Sequence, residues 1–242
     1  LATFKPTFGV PIFILMFFRR DYRACRIALG VGMVATVLAA GVLAGNAGGL
    51  APFLETLRTN NVEFNGRTNS SPATSFTRVD GISVLGRLAG LDLATSPSLM
   101  IGLGILLIAG LALRRLPKAM DEPDATGLSA AIICLATLAS IYHHPPDLLL
   151  LTVTLLAVAI GYGNSWSRMP GLSRVILLAS LTLPGVNYLA TASVIGHFQI
   201  DGAAWTAITS INGISVVVAF VTCLRLAMLP DRHVAVSTTS RP

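Results

Sequence analysis

The chain has 242 residues, 53% of them hydrophobic and only 12% charged, with a mean hydropathy of +0.73. A soluble domain carries about twice that charge fraction, which excludes a water-soluble globular protein. The net charge of +6 would suit nucleic acid only if it were gathered on one face. Instead, the basic residues fall in alternate short loops, so the excess reads as a topology signal and no nucleic-acid partner is expected.

The chain opens at Leu1 rather than Met, nearly inside a helix and with no signal-peptide pattern, which reads as the C-terminal part of a longer protein. Helices are predicted over about 3–18, 27–44, 98–113, 125–142, 148–167, 175–195 and 204–226, an all-α, polytopic transmembrane bundle of about seven spans. Arg19, Arg20, Arg23 and Arg26 follow the first helix, and Arg114, Arg115 and Lys118 follow the third. Arg168 and Arg174 sit in a further loop, and Arg225, Arg232 and Arg241 in the tail. These loops define the cytoplasmic side by the positive-inside rule. The polar, aperiodic tail 231–242 reads as disordered and cytoplasmic. Cys25, Cys134 and Cys223 show no paired spacing, so they support neither a disulfide framework nor a zinc site and read as small buried apolar residues.

The opposite, extracytoplasmic side receives the long segment 45–97, the turn at His143 and the short loop around His197. A connection of that length is too long to be idle. Its first part continues the apolar character of the preceding helix, and its centre, Thr59 to Thr77, is rich in Asn, Ser and Thr. Val79, Ile82, Leu85, Leu88 and Leu91 then recur at steps of three, which predicts an amphipathic helix lying on the membrane surface with Arg78, Asp80 and Arg87 off its apolar stripe. Two readings stand for this segment: a solvated lid with surface charges, or phosphate binding by Arg78 or Arg87. The sequon Asn69-Ser70-Ser71 is too common a triplet to carry weight.

Lys5-Pro6 opens the first helix. Lys5 lies 14 residues before Arg19, about 21 Å along a helix and short of the far surface of a core about 30 Å thick. It either snorkels or faces a polar cavity, where it would partner a phosphate. Pro6 breaks the hydrogen-bond ladder and lets a helix start at that depth.

His143-His144-Pro145-Pro146-Asp147 is wedged between two uncharged stretches, 125–142 and 148–167. Ionisable groups held at that depth read by default as functional. On a helix, adjacent histidines point about 100° apart, so one is expected to face a cavity and the other not, with His144, nearer the turn, the stronger candidate. Asp147 across the turn would hold a tautomer and let a ring donate to phosphate or move a proton. The bland alternative is interfacial histidines beside two prolines that enforce a turn. A metal site is disfavoured because His143, His144 and Asp147 alone make a poor ligand set, and no cofactor is implied.

Taken together, Lys5-Pro6 before an apolar run into Arg19-Arg20, the stretch Arg-Val-Asp-Gly-Ile-Ser-Val-Leu-Gly-Arg-Leu (78–88) and Tyr-His-His-x-x-Asp-Leu-Leu-Leu (142–150) resemble glycosyltransferase family 87. The resemblance covers most of the chain and implies a GT-C fold. It also implies a polyprenyl-phosphate sugar donor of the phosphomannose type, hexosyl and most specifically mannosyl transfer to a lipid or glycan acceptor, and a site on the extracytoplasmic face of the cell membrane. Lys5 and the histidine pair are the matching site positions. The essential aspartate of such enzymes usually lies in a first outer loop, which this sequence does not contain, and Pro145-Pro146 departs from the pattern. A transporter or flippase subunit would also want buried polar groups near Pro-interrupted helices such as the one carrying Pro184 and Asn187.

Overall fold

The computed structural model describes residues 6–66, 71–93, 95–116 and 126–228; Lys5, the sequon residues Asn69 and Ser70 and the tail 231–242 lie outside them. Every regular element among the described residues is helical: α1 (Pro6–Phe18), α2 (Tyr22–Asn46), α3 (Leu50–Gly66), α4 (Gly81–Ala89), α5 (Thr95–Arg115), α6 (Leu128–Ser140), α7 (Thr152–Ile160), α8 (Gly163–Ser167), α9 (Gly171–Val186), α10 (Ala192–His197) and α11 (Gly202–Met228). Tighter 3-10 turns run over Pro145–Leu151 and Tyr188–Ala190.

The expected apolar segments are all helical, but they differ in reach. Three have the length and composition to cross a membrane unaided: Tyr22–Asn46, Ser96–Arg115 and Gly202–Met228. Phe8–Phe18, Leu128–Ser140, Pro145–Ile160 and Gly171–Val186 are shorter, and at 13 residues α6 extends only about 20 Å. Local chemistry sets those lengths. The helical run expected over 148–167 stops at Gly161, which caps α7 in the left-handed conformation (φ 67). In α9, Pro184 lacks the N–H that would continue the ladder, and the helix ends two residues later.

Helix α6 is apolar all round and is the hub. Leu128, Ile132, Leu135 and Leu138 have no exposed surface, as expected of a helix enclosed by others. Helices α1, α4, α5 and α11 pack against it, and α9 packs on α11. Close approach is made at small residues. A Cβ at Gly102 of α5 would strike the Ser140 carbonyl, one at Gly110 would overlap the Phe18 ring, and one at Gly213 of α11 would meet Val84 and the Val79 carbonyl.

The lipid-facing character is plainest in α2. None of its apolar span is buried, and Val31, Val34, Val37 and Leu38 are all more than half exposed. A surface of that extent needs a hydrocarbon solvent. Gly48 and Gly49, both at positive φ (81° and 133°), turn the chain into α3, a helix through the apolar start of the long segment and into its Asn- and Thr-rich centre. Its start is held by Phe53 N–H on the Gly49 carbonyl at 3.2 Å and by the Thr56 hydroxyl on the Pro52 carbonyl at 2.9 Å.

The two ends of the bundle differ. Arg19, Arg20, Arg114 and Arg115 line one shallow depression beside Phe18 and Leu116, so the first two basic clusters meet at one end. The beginnings of α1 and α5, the end of α6 and the segment 71–93 meet at the other.

Candidate active site

The site is built on α4 and the residues before it. Asp80, with extended backbone (φ −78, ψ 160), caps the helix: its Oδ1 accepts the Ser83 N–H at 2.9 Å. Arg78 grips the same carboxylate in a fork, Nε to Oδ2 at 2.9 Å and Nη2 to Oδ1 at 3.0 Å, the strong geometry for an arginine. Ser83 Oγ closes the turn by donating to the Asp80 carbonyl at 2.7 Å.

Arg87 lies nine residues on and also turns inward. Its guanidinium donates to the carbonyls of Ser75 and Thr209, each at 2.5 Å, and of Arg78 at 2.6 Å. Burial lowers its pKa to about 10, with Asp80 opposing and Arg78 adding to the shift, so it stays charged at neutral pH. Expected as a phosphate ligand, Arg87 instead ties three stretches of backbone together and does not line the cavity.

The amphipathic stripe is also rearranged. Val79 and Ile82 are buried, whereas Leu85, Leu88 and Leu91 are exposed, and Ser83 and Arg87 are inside. Steps of three along a helix of 3.6 residues per turn drift by about 60° each, so five such positions wrap most of the circumference. Helix α4 therefore inserts a mixed side, Ile82 and Val84 with Ser83 and Arg87, into the bundle and shows leucines outward.

At the end of α6 the chain becomes extended, with Ile141 at φ −139, ψ 168 and His144 at φ −103, ψ 161. Pro145 disfavours helical geometry in the residue before it. The Val79 N–H donates to the His143 carbonyl at 3.1 Å, joining this stretch to Arg78 and Asp80. In extended backbone, neighbours point to opposite sides, so the two histidines diverge by far more than the 100° expected on a helix. His143 is fully buried and stacks on Phe8, ring centroids 4.5 Å apart. Its Nδ1 lies 3.1 Å from Asp147 Oδ2, which also accepts the His144 N–H at 3.1 Å. A carboxylate there accepts from Nδ1–H and so fixes Nδ1 as a protonated nitrogen in either charge state of the ring.

Tyr142 and His144 share the other side, ring edge to face at 4.8 Å, and the Arg78 guanidinium lies 4.9 Å from the Tyr142 ring centre.

Arg78 and Tyr142 border a cavity of about 480 Å³ between α1, α5 and the segment 71–93. Val10, Ile14, Leu99, Leu103 and Leu106 form apolar walls; Ser71, Arg78, Asp92, Ser98 and Tyr142 form a polar end. Val10, Leu99 and Leu103 are themselves exposed, so these apolar walls are not enclosed by the bundle. Of the sequence candidates, Arg78 alone among the described residues lines this cavity. His143, His144 and Asp147 stand behind Tyr142. Tyr142, Asp80 and Asp92 were not singled out from sequence. Asp80 ahead of a short helical run is a readable N-cap signal; Asp92 has no signal short of the fold.

Such a bundle, with a cavity lined by apolar side chains of α1 and α5 and by fixed polar groups, is that of a membrane protein. The family model of glycosyltransferase family 87 matches residues 1–141, more than half of the chain, and the chain belongs to that family. It is therefore a membrane glycosyltransferase. The match includes Arg78, Arg87 and Asp92 and stops just before Tyr142 and the histidines. Comparison with curated proteins and with solved structures gave no match.

Proposed function

We propose that this enzyme transfers a hexosyl group, specifically mannosyl, from a polyprenyl-phosphate carrier to a lipid or glycan acceptor on the extracytoplasmic face. The observation that carries the reading is the cavity, lined by apolar side chains of α1 and α5 together with Arg78. A prenyl chain suits the walls of α1 and α5. The phosphate meets Arg78, whose guanidinium is oriented in advance by Asp80 and the Tyr142 ring. As the sugar leaves, charge grows on the phosphate oxygens, and a preorganised cation stabilises that charge without reorganising. Lys5, just ahead of α1, joins it in this reading.

His144, half-buried beside Tyr142, is the histidine placed to exchange a proton with water. His143 and Asp147 act behind it by fixing the extended stretch that carries Tyr142. The Arg19–Arg20 and Arg114–Arg115 end is opposite the cavity, and the positive-inside bias supports an extracytoplasmic site.

The test is donor choice in membranes carrying the full-length protein. Polyprenyl-phosphate mannose is expected to support transfer to extracted acceptor lipids, and a nucleotide-mannose is not when synthesis of the lipid-linked donor is blocked. Transfer from the nucleotide sugar alone would overturn the proposal.

A further inference from the structure

The polar end of the cavity carries a second charge, of the opposite sign. Asp92 lies on the stretch between α4 and α5 and lines the same cavity as Arg78. Its side chain is exposed and its carboxylate takes one hydrogen bond, from Ser71, while the backbone on either side of it is held. Gly90, left-handed at φ 64, ends α4, and the Leu91 N–H returns to the Gly86 carbonyl at 2.9 Å. Ser98 Oγ donates to the Leu93 carbonyl at 3.3 Å, and Ser71 Oγ donates to Asp92 Oδ1 at 2.7 Å.

A carboxylate repels a phosphate, so the donor's phosphate belongs beside Arg78 and away from Asp92. What suits a fixed carboxylate is a set of neutral hydroxyls, which donate charge-assisted hydrogen bonds to it. The next group along a polyprenyl-phosphate donor, beyond the phosphate, is the sugar. Resting on the reading of the cavity as the donor site, we propose that Asp92, oriented by Ser71, accepts hydrogen bonds from hydroxyls of the transferred sugar and selects that sugar. Chain, phosphate and sugar then follow the cavity from its apolar walls through Arg78 to Asp92. A site built to bond a hydroxyl discriminates strongly against a substrate lacking it, because its own polar group is left unpaired.

The test uses full-length protein in membranes and measures two quantities: KM for polyprenyl-phosphate mannose, and inhibition by polyprenyl phosphate without sugar. Asp92→Asn is expected to raise donor KM by about tenfold while inhibition by the sugar-free lipid stays at the wild-type level, since only the sugar contact is lost. Ser71→Ala is expected to shift KM in the same direction by about threefold. An unchanged KM in Asp92→Asn, or an equal loss of sugar-free lipid binding, would overturn the proposal. If Asp92→Asn does not accumulate, Ser71→Ala carries the test, and an unchanged KM there overturns it. A wild-type enzyme insensitive to polyprenyl phosphate would instead remove the donor reading on which this rests.

Discussion

The two ends of α4 treat an arginine differently. At its start Arg78 is held by one carboxylate and one ring face and borders the cavity. At its last turn Arg87 is bonded to three carbonyls from Ser75, Arg78 and Thr209 and does not line the cavity that Arg78 borders. Both are buried, at 7% and 5% exposure, so burial alone does not distinguish a structural cation from a functional one. The partners do: backbone carbonyls carry no titratable charge and cannot leave, whereas a carboxylate and an aromatic face orient a cation toward a neighbouring space.

The largest expected effect is on the Arg87 side. Arg87→Met leaves three carbonyls without their donor in the packed junction of α4 and α11, and each buried acceptor left unsatisfied costs about 1–3 kcal/mol. Thermal unfolding in detergent is expected to show a large drop, with activity lost in proportion to folded protein. A stable Arg87→Met enzyme with a raised donor KM would reverse the roles assigned to the two arginines.

Arg78→Lys sharpens the comparison from the other end. Lysine keeps the charge that Asp80 needs but loses the planar fork. Stability is expected to stay near wild type, while kcat/KM falls about 30-fold, roughly 2 kcal/mol of barrier. Steady-state kinetics beside a melting curve separates the two effects.

The histidines repeat the contrast on a smaller scale. His144→Gln is expected to lower turnover about tenfold, about 1.4 kcal/mol, with little change in donor KM. His143→Gln, which breaks the Asp147 contact beneath Phe8, is expected to cost stability of about 1–2 kcal/mol and leave the kinetics of the folded fraction intact. Equal kinetic losses from both would remove the distinction drawn from the extended backbone.

The apolar segments and the alternating basic clusters were legible in the sequence, because hydropathy and loop charge report the membrane directly. The site was legible only in part. The residues around 78–88 and 142–147 stand out by composition, yet their orientation depends on details that a periodic pattern hides. The step-of-three pattern on α4 drifts around the helix, so it gave no inward face. Pro145 did hold the information that His144 is extended, through its clash with a helical predecessor. Asp92 was not legible, since nothing near it in sequence indicates the cavity that α1 and α5 form around it. The length of α6 was overread because an uncharged stretch does not show where its helix ends.

The central claim is that a polyprenyl phosphate occupies the space between α1 and α5 with its head at Arg78. The most direct measurement is photocrosslinking of full-length protein in membranes with a polyprenyl phosphate carrying a diazirine in its chain, with adducts mapped by mass spectrometry. Adducts are expected at Val10, Leu99 and Leu103 that unlabelled polyprenyl phosphate competes away and that Arg78→Lys weakens. Adducts spread along the exposed face of α2, unaffected by competitor or by Arg78→Lys, would contradict the claim.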